Sequence, residues 1–423
     1  SDEFGPAMFA NLGSRRELAP EGKQVADAVL DAKIHQLQDP QRVAGLIQRL
    51  GDPSPEIRGQ AVVGLQGAGA AAVGPLLSVL ADPQRAAEHA SVRAALVAVG
   101  PEAVGPLMGM LDASDPKIVA EAIAAIANLR AITPSYFVLR ACCDEKGNAE
   151  VRTAARAAAK RIWKCVPSRQ EAASLLADLS RRYAKRVEPL PEAPSGRVVI
   201  WSWDDAKKQA VAKSYQPDAA ARHVAARLAR DAYAVVPESR EMLLLHLTTM
   251  LQEAAYDHGL DHPLTADKDS PAGKVQALGP DTLEDVLRFA MQEGQIAAAT
   301  ASARLLGQSV GAEALLRRAA QPCPLVVAVR HPDQRLRLAA VEAVMRLRPR
   351  EPYAGASNVG EAVAFLAASH GTRRVLVGSP RTDEARRLAG LLAKLGYVTD
   401  SAATGRDLLR KALQSPDYEL ILV

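Results

Sequence analysis

Apolar residues recur three and four apart through most of the chain, and Asp-Pro and Gly-Pro pairs cut that pattern into short lengths. The spacing predicts a helix over 24–37 and then a ladder of helix pairs. Val43–Leu50 leads into Gly51-Asp52-Pro53-Ser54-Pro55, a turn whose residues suit an N-cap and a first helical position. Glu56–Gln66 follows and stops at Gly67-Ala68-Gly69. Three more pairs continue the ladder: 72–80 with 91–99, 103–111 with 117–129, and 134–142 with 149–163. Inside it, Ala-Val-Gly-Pro-Leu at Ala72–Leu76 returns at Ala103–Leu107, 31 positions later. A period of roughly 20–50 residues marks stacked repeats, where each unit buries its apolar face only against its neighbours.

After 165 the pattern changes. A helix is expected over 170–186, then a stiff linker, Glu188-Pro189-Leu190-Pro191-Glu192-Ala193-Pro194-Ser195-Gly196. Arg197–Trp203 and Gln209–Tyr215 flank Asp204-Asp205-Ala206-Lys207-Lys208 and predict a β-hairpin. Two strands alone are marginal, so the hairpin must pack on helices. Helices are expected over 217–235 and 238–256, a polar loop over 258–280, and helix pairs again over 281–306. The last fifty residues alternate strand 373–378, helix 383–395, strand 396–399, helix 406–414 and strand 418–423. That alternation predicts parallel strands with right-handed crossovers.

Three of the second helices read Ile57-Arg58-Gly59-Gln60-Ala61, Val92-Arg93-Ala94-Ala95-Leu96 and Val151-Arg152-Thr153-Ala154-Ala155. A further copy stands at His331-Pro332-Asp333-Gln334-Arg335-Leu336-Arg337-Leu338-Ala339-Ala340. This resembles the bacterial type of HEAT-repeat family, with Asp in the turn and Val/Ile-Arg-x-x-Ala on the second helix. The third pair departs, carrying Val119-Ala120-Glu121-Ala122. The resemblance covers roughly 40–165 and 294–348 and implies an α-solenoid with a long surface for partners. Ala229–Ser239 resembles the second helix and turn of a tetratricopeptide repeat. The C-terminal alternation, with Leu395-Gly396-Tyr397 between its first helix and second strand, resembles the first half of a response-regulator receiver domain. That likeness implies a metal-binding acidic pair where the chain has Ser379-Pro380, and an acceptor Asp just past Val423, so ordinary phosphotransfer is not implied.

The expected fold class is mainly α: an α-solenoid of HEAT-like helix pairs, a short β-hairpin insertion and a small C-terminal α/β unit that is partly receiver-like. Its expected segments are a tag remnant and lead-in (1–23), N-terminal repeats (24–187), linker and hairpin (188–216), tetratricopeptide-like and HEAT-like pairs (217–350) and the α/β unit (351–423). The opening eight residues look like a cloning remnant, which leaves the compartment open.

Composition fits small-residue helix packing, being 48% hydrophobic but only 4% aromatic. Lys+Arg is 52 against Asp+Glu 48, so electrostatics must be argued locally. Cys142, Cys143, Cys165 and Cys323 show neither C-x-x-C nor staple spacing and read as small core residues. No apolar run reaches the length of a transmembrane helix.

Candidate chemistry is sparse. Arg152, Arg156, Lys160 and Lys164 fall at successive i+4 steps, and Arg181, Arg182, Lys185 and Arg186 follow on the next helix. Such rows meet phosphates by releasing counterions, as the basic surfaces of HEAT-like DNA glycosylases do. The plainer reading is a solvated face with Arg152 as a structural arginine, since only Trp163 and Tyr183 lie nearby for base stacking. Trp201 and Trp203 project to one side of the hairpin, either to anchor it or to offer a partner an aromatic edge. Asp257-His258 and Asp261-His262 suggest a metal pair, but Gly259 and Pro263 read as a helix end and no third ligand is evident. Asp267-Lys268-Asp269 begins like a calcium loop without its Gly and Glu. Gly64–Gly69 is an inter-helix turn rather than a dinucleotide fingerprint, and no catalytic triad has a local signature.

The chain therefore reads as a non-catalytic scaffold that holds a protein partner on a concave helical face, without cofactor or metal. Nucleic-acid binding through 152–186 is the first alternative, and a signalling adaptor with a receiver-like module the second. The edge of the C-terminal sheet is a candidate dimer contact.

Overall fold

The computed structural model describes residues 20–130, 135–193, 195–207, 209–309 and 321–423, with Met8, Asn11, Gly311 and Leu315. Most of residues 1–19, the start of the segment read as a helix over 134–142, Pro194 of the linker, Lys208 of the hairpin turn and part of 294–348 lie outside the described residues. The protein is mainly helical with two small sheets. It folds as two compact units, 1–243 and 244–423.

In the first unit the ladder is α1 (Glu21–Leu37), α2 (Pro40–Arg49), α3 (Pro55–Ala68), α4 (Ala70–Ala81), α5 (His89–Val99), α6 (Val104–Met110), α7 (Pro116–Leu129), α8 (Leu139–Cys143), α9 (Ala149–Trp163) and α10 (Arg169–Ala184). Successive members pack as α2 on α3, α4 on α5, α6 on α7 and α8 on α9. The buried stripes follow helical spacing: Ala61, Leu65 and Ala68 on α3, and Ile118, Ala122, Ile123 and Ile126 on α7.

The Asp turns work as caps. Asp39, Asp82 and Asp115 accept the backbone N–H of Arg42, Gln84 and Lys117, which would otherwise have no partner at a helix start. The recurrent arginine ties other turns of the ladder from the helix that follows each. Arg58 donates to the carbonyls of Asp52 and Pro53, both at 2.8 Å. Arg152 donates to those of Asp144 and Glu145 at 3.0 Å and Gly147 at 3.3 Å. Arg93 does otherwise, pairing with Glu121 on the next unit at 2.5 Å. That partner stands one residue past Ala120, which occupies the place of the repeat's arginine.

The hairpin, β1 (Val198–Asp204) and β2 (Gln209–Tyr215), is antiparallel with Val198 opposite Tyr215. It packs on α6 and on α11 (Pro217–Val235), while α10 packs along α11. Helix α12 (Arg240–His258) follows.

The second unit continues with α13 (Pro271–Gln276), α14 (Pro280–Gln292), α15 (Ile296–Ser309), α16 (Pro324–Ala328), α17 (Gln334–Leu347) and α18 (Ala356–Ala367). Helix α15 packs on α14 and α17. Here too the arginine of the repeat, Arg337, donates to the carbonyls of its turn, at His331 and Pro332. Strands β3 (Arg374–Gly378), β4 (Val398–Ala402) and β5 (Tyr418–Leu422) form a parallel sheet in the order β4-β3-β5, with α19 (Thr382–Lys394) and α20 (Gly405–Gln414) as crossovers. Val375, Leu376 and Val377 of the central strand are its core.

Two helices were not expected. Helix α13 lies within the stretch read as a polar loop, started by Ser270, which accepts from Gly273 N–H. Helix α18 precedes β3, where the sequence carries Gly355, Ser357, Asn358 and Gly360 and little periodic signal. Among the cysteines, Cys165 is a correction: it is exposed, whereas Cys142, Cys143 and Cys323 are buried. It follows Lys164, whose left-handed backbone (φ 64°) has already ended α9. Burial pushes the Cys142 thiol up to about 12.

Candidate functional site

The structure divides the two basic rows by role. Arg152 is half-buried and spends its guanidinium on three turn carbonyls. Arg156 and Lys160 are exposed on α9. Lys164 is not a fourth rung: it caps the helix, its N–H donating to the Lys160 carbonyl. On α10, Arg181 pairs with Glu241 at 2.6 Å and Arg182 with Glu188 at 2.5 Å. Just past the helix, Arg186 pairs with Asp218 at 2.8 Å, and exposed Lys185 stands between Arg182 and Arg186 in the chain. Acids from later segments thus neutralise three of the eight cations, and a fourth holds a loop.

Trp201 and Trp203 both serve the hairpin's seat. The Trp201 indole lies against α6 at Gly105, where an added Cβ would be 2.6 Å from Cδ1. One turn on, a Cβ at Gly109 would be 2.8 Å from the Trp201 carbonyl carbon and 3.0 Å from Ser202 N. Only a side chain of one hydrogen lets strand and helix approach so closely. The Trp203 indole N–H donates to Asp205 at 2.8 Å, and Asp205 also accepts from the Ser114 hydroxyl and N–H at 2.6 and 3.1 Å. The Ser114 hydroxyl above all holds the Asp205 carboxyl below its ordinary range.

Seating the hairpin opens a groove of about 610 Å³ beside it. One wall is Pro101, Val104 and Met108 at and before α6; another is the linker 189–193; a third is Val198–Trp201 of β1; and His223, Val224 and Arg227 of α11 close it. Most of this lining is apolar, the usual makeup of a binding cleft of this size. Burial pushes the Tyr183 hydroxyl, on the same surface, up to about 12.

Arg227 forms the polar end of the groove. It donates to the Met108 carbonyl at 3.0 Å, pairs with Asp112 at 2.9 Å and lies over the Phe137 ring at 5.1 Å. Behind it, Asp231 is 3% exposed and sits between Arg140 at 3.2 Å and Arg230 at 3.3 Å. A buried carboxylate flanked by two guanidiniums holds α11 in register with α8, and removing both arginines would strand its charge in the interior.

The pair Asp257-His258 and Asp261-His262 ends a helix, as Gly259 at φ 97° requires, and the two imidazoles meet edge to face at 6.2 Å. Among the described residues no three His, Cys, Asp or Glu are placed to hold a metal ion, and no helix is long and apolar enough to cross a membrane.

Sequence reasoning found Trp201 but not the groove. Its signal was the four-residue spacing of Gly105 and Gly109 ahead of an alternating strand, with a proline-rich segment between. Compared with known proteins, the chain matches no family model, and no curated protein matches it.

Proposed function

We propose that this protein is a non-catalytic scaffold, a HEAT-like α-solenoid that holds a protein partner, and that the groove beside β1 is where the partner is gripped. The groove carries the reading: an apolar cleft of about 610 Å³ with a rigid aromatic wall and one polar end. Recurring turns, some capped by Asp and others tied by Arg, with both together at 331–333, support the stacked-repeat likeness, because they hold the starts of successive helices in similar ways. The parallel β4-β3-β5 sheet is consistent with a receiver-like module, which on this reading is an accessory to the scaffold.

The test is capture from native extract on the full chain and on Leu190→Trp, which fills the groove from the irregular linker. A protein retained by the first and lost from the second is expected. The same retained set on both would sink the reading. The nucleic-acid alternative draws less support, with Arg181, Arg182 and Arg186 already paired to acids.

A further inference from the structure

The groove's lining has a particular order. Val198, Val199, Ile200 and Trp201 all border it, and successive strand side chains leave opposite faces. A cavity bordered by four consecutive residues therefore runs along the strand's edge rather than over one face. No residue of β2 borders it, so the edge concerned is the one turned away from the partner strand. Every second residue of β1 points its N–H and C=O to that side. Among the described residues, no backbone hydrogen bond reaches that edge between Val198 and Trp203.

The segment across the groove does not fill the vacancy. Pro189 and Pro191 have no N–H, so this stretch makes a poor ladder partner and stands off as a wall. Toward the hairpin turn, the approach of Gly109 to Trp201 and Ser202 closes the edge. What remains is a short open edge over a cleft lined with valine, leucine, proline and methionine.

The rim supplies a charge. Glu192 lines the groove, is exposed and has no ion-pair partner among the described residues, whereas the carboxylate of Glu102, which also borders it, lies against Gly69. The cation at the inner end, Arg227, already has Asp112. The groove's uncompensated charge is therefore negative, and an incoming chain meets it best with a Lys or Arg.

We propose that the groove binds an extended peptide segment of a partner protein as a third strand on β1. The segment has apolar side chains at alternate positions and a basic residue that meets Glu192. This rests on the scaffold reading and gives it a ligand chemistry. Strand addition suits the observations, because main-chain bonds supply affinity while alternate side chains enter the cleft.

The experiment uses the full chain and a displayed library of random ten-residue peptides as probe, then fluorescence polarisation on synthetic copies of the enriched sequences. Enriched peptides are expected to carry alternating apolar residues and at least one Lys or Arg. Methylating every second backbone nitrogen should weaken binding by more than about tenfold, and methylating the intervening ones should leave it within about twofold. Glu192→Gln should weaken binding about threefold near physiological salt, with the unfolding midpoint unmoved. No enrichment, a methylation scan without the two-residue period, or equal binding to the Glu192→Gln variant would overturn the proposal. If non-periodic peptides bind and are lost with Leu190→Trp, strand addition fails while the scaffold reading stands. If Leu190→Trp also leaves captured partners and peptides alike in place, both fail.

Discussion

In its first copy, Ala-Val-Gly-Pro-Leu lies inside the continuous helix α4, with Ala72, Val73 and Leu76 buried and Pro75 exposed. In its second copy the same five residues straddle a junction. A 3-10 turn over Gly100–Ala103 gives way to α6 at Val104, and here Pro106 is buried while Val104 is only half-buried. The glycines differ most. A Cβ at Gly74 would meet the Met110 methyl at an ordinary 3.7 Å, whereas one at Gly105 would strike the Trp201 ring at 2.6 Å. One pentapeptide thus serves as plain helix in one place and as a docking face in another. The lesson is that a repeat specifies a local shape, and its neighbours assign the job. The difference also places the groove, because the cleft exists only where the hairpin has docked.

The comparison breaks most visibly at Gly109. Gly109→Ala sets a methyl against strand backbone, which cannot rotate away, and is expected to cost about 3 kcal/mol, the upper range for overpacking. Urea unfolding checks it, and a loss under about 1 kcal/mol would mean that the strand yields. Gly105→Ala meets a side chain instead, so its cost of about 2 kcal/mol should be largely relieved in combination with Trp201→Ala. A double-mutant cycle decides the matter: additive losses would place the clash elsewhere.

Acid should loosen the same seat. With the Asp205 carboxyl held below its ordinary value by Ser114, its contribution is present above the ordinary carboxylate pKa and is lost as pH falls through the folded value. Tryptophan emission should therefore shift with acidification before global unfolding, and Asp205→Asn should remove that early step. An unchanged early step in the variant would assign it to another group. The smallest effect belongs to the first copy. Gly74→Ala has room for its methyl and replaces a poor helix former, so a gain of up to about 1 kcal/mol is expected by thermal unfolding.

Much of the architecture was legible because it is local. Asp39, Asp82 and Asp115 announce helix starts, Gly69 and Gly100 announce ends, and the apolar spacing of α3, α7 and α9 survives nearly residue for residue. Even Arg152's role as a structural arginine was readable from its place in the repeat. What failed to show was whatever depended on residues distant in the chain. Arg181 and Arg186 looked available until Glu241 and Asp218 came round to meet them. Cys165 looked like its fellows because composition says nothing about where a helix stops.

Periodicity and turn chemistry act over a few residues, so the sequence alone determined that this chain is a ladder of capped helices with a hairpin and a short α/β alternation. The fates of Gly105, Trp201 and Arg227 required chain closure over roughly a hundred residues. Neither the close seat of an indole on a glycine nor an ion pair at 2.9 Å leaves a mark in a pattern that repeats every few positions. Only the tertiary structure, by seating β1 on α6 and carrying 189–193 past it, made a groove out of segments that separately look like ordinary helix, linker and strand.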